Sequence, residues 1–156
     1  MQTTKQDNAG VIAPPPFIYL GGLILGLFIQ KQLPFRLSWR KRRPFLGTLL
    51  ITAGFMLGFT SFRTMRGAGT TPDPRQPVTT IVTSGPFQLS RNPIYLSMAL
   101  MYSGIAVLTN ALWPMLLLPF VLGIMNRGVI DREERYLERK FGERYMEYKQ
   151  SVRRWL

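Results

Sequence analysis

Polar residues that can bind ligands adjoin apolar sequence at two places. Arg91 and Asn92 stand directly before Pro93, and Glu133 and Glu134 follow the last long apolar segment. The chain contains neither Cys nor His, which excludes thiolate metal sites, a cysteine nucleophile and the commonest general base. Chemistry at these positions must therefore use carboxylates, guanidinium groups, tyrosine hydroxyls or a bound cofactor, and no metal site is predicted.

Three long segments contain no charged residue and define the elements that must position these groups. No Asp, Glu, Lys or Arg occurs in residues 8–30, 44–62 or 92–126. Because a membrane-spanning helix needs about 20 apolar residues, the sequence predicts an all-α integral membrane protein of a single domain, residues 1–156. About four transmembrane helices form two hairpins: residues 11–30, 44–62, 93–109 and 111–126. Thr109 and Asn110 would supply the second turn; one span with a re-entrant segment is the alternative for residues 92–126.

A polar loop, residues 63–92, separates the two hairpins. Its three prolines between Pro72 and Pro77 disfavour a helix. The β-branched residues of Val78–Thr83 indicate an extended stretch that ends in a turn at Ser84-Gly85-Pro86. A loop of this length inside a compact protein is typically functional or disordered, and the β-branched residues favour function.

The tail, residues 127–156, shows apolar residues at helical spacing on either side of Gly142. It predicts two short amphipathic helices. They could lie on the lipid surface with their Tyr and Trp side chains at head-group depth, but that interpretation leaves the adjacent pair Glu133 and Glu134 unexplained. As an alternative for Glu134 alone, ion pairing with arginines at helical spacing accounts for a carboxylate there.

The basic residues indicate a membrane surface as the partner. The net charge is +12 and the pI is about 10.9, and the cations cluster near the ends of the predicted spans. Anionic lipid head groups explain this pattern better than nucleic acid does. Fourteen Lys and Arg fall on the side of the polar loop and tail, against six in residues 31–43; the positive-inside rule predicts a cytoplasmic loop and tail. Residues 40–43 nevertheless form the densest basic cluster.

Small residues recur at four-residue spacing in the first two predicted spans. Gly22 and Gly26 share one helix face, as do Gly54 and Gly58. We expect these two faces to pack against each other rather than against a second copy of the chain.

Four short motifs in the C-terminal half together resemble one protein family. They are VTSGPF (82–87), RNPIY (91–95), the pair EE (133–134) and FGERYMEYKQSVRRWL (141–156). In this order, behind a two-span hairpin, they resemble the integral-membrane methyltransferases that include isoprenylcysteine carboxyl methyltransferases and phospholipid N-methyltransferases.

The resemblance implies S-adenosylmethionine as the cofactor, held between the polar loop and the helix after the last span. It also implies the cofactor-binding residues: Thr79, Thr80, Ile81, Val82, Phe87, Asn92, Pro93, Tyr95 and Glu133. Arg91 matches the arginine of the same motif and can pair with the cofactor carboxylate. Glu134 is the candidate for orienting or deprotonating an amine acceptor, so Arg91 and Glu134 are the catalytic candidates.

Two departures from the family pattern concern the acceptor. Asn92 stands where the carboxyl methyltransferases have His, and Asn cannot titrate near neutral pH. The arginine that those enzymes use for the substrate carboxylate falls at or near Val129, so Arg127 and Arg132 are the nearest substrate-binding candidates.

The predicted function is transfer of a methyl group from S-adenosylmethionine to a lipophilic acceptor. The acceptor is left open among a lipid amine, a prenylated carboxylate and a small hydrophobic molecule. In-line methyl transfer mainly requires that the acceptor be held in near-attack geometry and that water be excluded. It does not require a strong base, which suits a chain without His. The alternatives are a sterol-reductase-like membrane oxidoreductase that uses a nicotinamide cofactor, and a non-catalytic lipid-binding scaffold.

Overall fold

The computed structural model describes residues 7–35 and 43–156, and all regular secondary structure within them is helical. This confirms the all-α fold class. The long helices are α1 (Pro15–Gln32), α2 (Arg43–Gly67), α3 (Pro93–Leu108) and α4 (Leu112–Met125). The shorter helices α5 (Asp131–Phe141) and α6 (Glu143–Ser151) complete the set.

Residues 92–126 form two helices, α3 and α4, joined by a short turn. Pro93 begins α3 at a position where its missing N–H is harmless. The chain then turns at Asn110, whose φ of 57° is a left-handed conformation that Asn tolerates. α4 begins two residues later at Leu112.

α4 ends at Met125, next to the predicted end of the last span at Asn126, but the helical path does not break there. A π-helical turn, Asn126–Ile130, joins α4 to α5 and makes Leu112–Phe141 one continuous helix of 30 residues. Single π-helical turns of this kind occur frequently at functional sites. The two amphipathic helices predicted after the last span are α5 and α6, and the first of them is a direct extension of α4.

The glycine faces pack differently from the expectation. A Cβ on Gly26 would lie 2.7 Å from the backbone of Pro114 in α4, and a Cβ on Gly54 would lie 2.8 Å from the Ser97 carbonyl oxygen in α3. α1 therefore packs closely on α4, and α2 on α3. The prediction that the two glycine faces pack against each other is wrong, because a small-residue face permits close approach without selecting the partner.

The outer surfaces of the helices are strongly apolar. Within residues 7–35 and 43–156, two helices are long and apolar enough to cross a membrane, Arg43–Gly67 and Leu112–Phe141, and α3 is a shorter apolar helix. Large apolar side chains point outward from the first two helices, including Phe17, Ile24, Phe28, Phe45, Phe55 and Phe59. A surface of this kind suits lipid better than water. The structure thus supports a membrane location, and the count of four spans remains a prediction.

The polar loop packs on the tail helices. Ile81, Val82 and Phe87 form a buried cluster with Tyr145 and Tyr148 of α6. Tyr145 is 3% exposed and Tyr148 is 8% exposed. The interpretation that places these tyrosines at head-group depth on a lipid surface is therefore wrong, because their rings are covered by the loop.

Candidate functional site

The turn after the extended stretch is fixed by its contact with α6. Gly85 has a φ of +59°, which favours glycine, and it begins a short 3-10 helix, Gly85–Gln88. The Tyr148 hydroxyl donates a 2.7 Å hydrogen bond to the carbonyl oxygen of Phe87. This bond holds the Phe87 ring, which is buried, beside the tail helices.

Residues 90–92 are held by the last residues of the chain. The Arg91 amide donates to the Arg153 carbonyl oxygen at 3.0 Å. The Asn92 side-chain amide and the Ser90 hydroxyl both donate to the Arg154 carbonyl oxygen, at 3.0 Å and 3.2 Å. Hydrogen bonds therefore connect residues 90–92, which immediately precede α3, to residues 153–154, more than 60 positions later in the sequence.

Glu134 is the centre of an ion-pair cluster. Its side chain is 6% exposed, and Arg154 donates to both of its oxygens, from Nε at 3.0 Å and from Nη2 at 2.7 Å. Arg91 Nη2 lies 3.2 Å from Glu134 Oε1, and Lys149 Nζ lies 3.5 Å from Oε2. A buried carboxylate requires such partners, and Glu134 has three cations around it.

Two hydrogen-bond donors of the Arg91 guanidinium are unpaired among the described residues. Its side chain is 9% exposed, and its Nε and Nη1 atoms are buried without a hydrogen-bond partner among the described residues. Buried donors without partners are costly in a folded protein. An anionic ligand, such as a carboxylate, would accept a charge-assisted hydrogen bond from one of them.

Glu133 is the second carboxylate of the pair and has a different environment. Its Oε1 accepts a 2.5 Å hydrogen bond from the Tyr95 hydroxyl. Glu133 belongs to α5, in which eight of the eleven residues are charged. This helix follows the apolar stretch that ends at Met125. Burial raises the pKa of Glu133 to about 7, the hydrogen bond from Tyr95 opposes this rise, and the charge of Glu134 adds to it.

These groups line one cavity between the polar loop and helices α3, α5 and α6. Its volume is about 130 Å³. Its wall includes the charged side chains of Asp73, Arg91, Glu133 and Glu134 and the polar side chains of Asn92 and Tyr95, and apolar surface comes from the loop and the tail tyrosines.

Most of the residues predicted for the site line this cavity. Among them are Thr80, Ile81, Val82, Phe87 and Pro93, together with Arg91, Asn92, Tyr95, Glu133 and Glu134. Their proximity matches the predicted arrangement, while their individual roles remain predictions.

Three predicted residues lie outside the cavity. The Thr79 hydroxyl donates to the Gly69 carbonyl oxygen at 2.9 Å, and Thr79 is exposed, whereas its neighbours Val78 and Thr80 line the cavity. Arg127 is exposed. Arg132 is also exposed, and it donates to the Gly10 carbonyl oxygen at 2.8 Å.

Sequence reasoning missed several residues that line or support the cavity. Tyr145 and Tyr148 line it, although their spacing indicated only an amphipathic helix. Arg154, which pairs with Glu134, lies in a basic run whose partners could not be read from spacing. Ala9 belongs to the N-terminal segment and also lines the cavity; its amide donates to the Pro74 carbonyl oxygen at 3.4 Å.

Comparison with known proteins identifies the family. The family model described as phospholipid methyltransferase matches residues 42–144. An uncharacterized protein of Haemophilus influenzae is 60% identical over 37 residues, which make up 24% of this chain and 57% of that protein's length. No solved structure matches the chain. Because the family match covers more than half of the chain, from the second apolar helix through the polar loop to α5, the chain belongs to the phospholipid methyltransferase family.

Proposed function

We propose that this protein transfers a methyl group from S-adenosylmethionine to a lipophilic acceptor. The observation that carries the proposal is the presence of opposite charges in the cavity wall: Arg91, with two buried donors that lack a partner among the described residues, and the Glu133 carboxylate. The amino-acid part of the cofactor carries the complementary charges. Membership in a methyltransferase family supports the same reaction.

The residues present fit this cofactor. Arg91 would pair with its carboxylate, and Glu133 would face its ammonium or sulfonium charge. Ile81, Val82 and Phe87 offer the apolar surface that an adenine ring requires. The side-chain amide of Asn92 already donates to Arg154, so its main part in the proposal is to keep the neighbouring Arg91 in place. When bound, the cofactor supplies an electrophilic methyl group.

The protein's own part is to bind, to orient and to exclude water. Both oxygens of Glu134 are paired with cations, so we assign Glu134 to holding the arginines rather than to proton transfer. Glu133 has one hydrogen-bond donor, Tyr95, and a pKa raised by burial to about 7. It is therefore the carboxylate suited to accepting a proton from an amine acceptor near neutral pH.

The cavity must widen to admit the cofactor. Its volume of about 130 Å³ is below the several hundred Å³ of sites that enclose ligands of this size. The segment that can move is the loop wall, Thr71–Pro74 and Val78, which contacts Ala9 and Tyr136 through few hydrogen bonds. Binding would then order the loop over the cofactor and shield the reacting atoms from water.

We further propose that the acceptor is an amine and not a carboxylate. Among the described residues that line the cavity, Arg91 is the only Lys or Arg, and it is assigned to the cofactor. The family position for a substrate-binding arginine falls at or near Val129, which is fully buried in the apolar core. Arg127 and Arg132 stay candidates for contacting an anionic lipid head group at the surface, where both side chains are exposed.

In this proposal the protein crosses the membrane several times, with the polar loop and tail on the cytoplasmic side. The loop packs on α5 and α6, so these parts must share one side. That side receives the water-soluble cofactor, while the apolar helices give a lipophilic acceptor access from the bilayer. The family match does not favour a reductase or a non-catalytic scaffold.

The test is transfer of a radiolabelled methyl group from S-adenosylmethionine to a total membrane lipid extract, fractionated into amine-bearing and carboxylate-bearing lipids. We expect label in the amine fraction, and its loss in Arg91→Gln and Glu133→Gln. Arg139→Gln, which changes an exposed arginine on α5, should match the wild type. Label in the carboxylate fraction would contradict the amine assignment, and no label in any fraction would contradict the methyltransferase proposal.

A further inference from the structure

We propose that Arg154 is a positioning residue which, by pairing with Glu134, leaves the guanidinium of Arg91 free to bind an anionic group in the cavity. This inference rests on the proposed function, because it assigns that anionic group to the carboxylate of the cofactor. Arg154 itself does not line the cavity.

The distances show which cation holds Glu134. Arg154 donates to both carboxylate oxygens of Glu134, from Nε at 3.0 Å and from Nη2 at 2.7 Å. This is the bidentate geometry in which arginine and carboxylate groups pair strongly. Arg91 makes one contact of 3.2 Å through Nη2. Asp131 Oδ1 lies 2.9 Å from the same Nη2 atom of Arg154, and it helps to fix that guanidinium.

The pairing of Arg154 with Glu134 leaves two donors of Arg91 available for a ligand. Its Nε and Nη1 are buried, without partners among the described residues, and the side chain lines the cavity. Without the Arg154 guanidinium, the buried Glu134 carboxylate would need a replacement donor. Arg91 already contacts Glu134 Oε1 through Nη2, and bidentate pairing with Glu134 would add Nε or Nη1 and so consume one of the two donors that a ligand carboxylate needs.

The side chain and backbone of Arg154 have separable tasks. Its carbonyl oxygen accepts hydrogen bonds from Asn92 and Ser90, and the next residue is anchored by a 3.1 Å hydrogen bond from Trp155 Nε1 to Asn126 Oδ1. These contacts do not involve the guanidinium. Arg154→Met therefore removes the ion pair and retains an apolar stem of similar length on the same backbone.

The experiment compares the dissociation constants of two ligands by calorimetry on the detergent-purified full chain. One is S-adenosylhomocysteine, and the other is its decarboxylated analogue, which keeps the adenosine, the thioether and the amine. We expect the wild type to prefer S-adenosylhomocysteine by about tenfold, the worth of one good charged hydrogen-bond pair. Arg154→Met should reduce this preference at least fivefold, with the affinity for the decarboxylated analogue within about twofold of the wild type.

Further variants make the test decisive. Arg154→Lys, which keeps one cationic donor, should show an intermediate preference, and it provides the comparison if Arg154→Met does not fold. Arg154→Met combined with Glu134→Gln removes the carboxylate that would capture Arg91, so the preference should return. Arg139→Met serves as the control, because this arginine is exposed on α5.

Three results would overturn the inference. An equal loss of affinity for both ligands would reduce Arg154 to a purely structural role. An unchanged preference in both single variants would show that Arg154 does not control Arg91. A wild type that binds both ligands equally would remove the assigned carboxylate contact. Failure of the wild type to bind either ligand is a different outcome, which overturns the proposed function itself.

Discussion

The carboxyl group of Glu133 should make the folded protein less stable as the pH rises. Burial raises its pKa from the ordinary 4.5 to about 7. Below pH 4.5 the group is protonated in both the folded and the unfolded chain. Between pH 4.5 and 7 only the folded chain keeps the proton, so the free energy of unfolding falls as the pH rises through this window.

The size of the effect follows from the pKa difference. Each pKa unit corresponds to about 1.4 kcal/mol, so the raised pKa implies a loss of about 3 kcal/mol between pH 4.5 and 8. For a chain of this length, 1 kcal/mol moves the unfolding temperature by about 2 to 4 °C. The expected decrease is therefore about 6 to 12 °C.

The assay is thermal unfolding in detergent between pH 5 and 8.5, with wild type beside Glu133→Gln. Glutamine keeps an acceptor for the Tyr95 hydroxyl but does not titrate, so its profile should lack the decrease and lie above the wild type at pH 8. Glu147→Gln, an exposed position on α6, should follow the wild type. Parallel profiles for wild type and Glu133→Gln would refute the reasoning, and so would a wild type that becomes more stable toward pH 8.

Three further substitutions probe the surroundings of the site and the packing that positions it. Tyr95→Phe removes the hydrogen bond that favours the charged form of Glu133, so the pH midpoint of the stability profile should move upward. A midpoint that stays in place would contradict this. Tyr148→Phe loses a buried hydrogen bond to the loop and should cost about 1 kcal/mol, measured as a lower unfolding temperature. Gly54→Val should cost about 1 to 3 kcal/mol, because its Cβ would lie 2.8 Å from a carbonyl oxygen of α3. Gly123→Val, with nothing within 4 Å of the added Cβ, should leave that temperature unchanged.

The sequence was most informative where local rules decide the structure. Pro93 at the start of α3 and the turn at Asn110 follow from backbone preferences. The uncharged segments predicted helices, and the motif order predicted which parts of the loop and α5 meet. Thr79 shows the limit of this reasoning, because membership in an extended stretch does not say which residues face the cavity.

Contacts between distant segments could not be predicted from the sequence. The pairing of Arg154 with Glu134 depends on α6 turning back beside α5, and nothing in the basic run at the end of the chain indicates its partner. The same holds for Gly26 and Gly54, whose close contacts are with α4 and α3. Apolar helix faces are chemically alike, so the choice among partners depends on the complete packing arrangement.

The central claim is that the cavity binds the adenosyl cofactor through Arg91. Calorimetric titration of the detergent-purified chain with S-adenosylhomocysteine tests it most directly, with Arg91→Gln and the surface control Arg139→Gln measured beside the wild type. We predict saturable one-site binding by wild type and control, and an affinity at least tenfold lower for Arg91→Gln, as expected when a buried charged hydrogen bond is lost. No binding by the folded wild type, in lipid as well as in detergent, or equal binding by all three proteins, would contradict the claim.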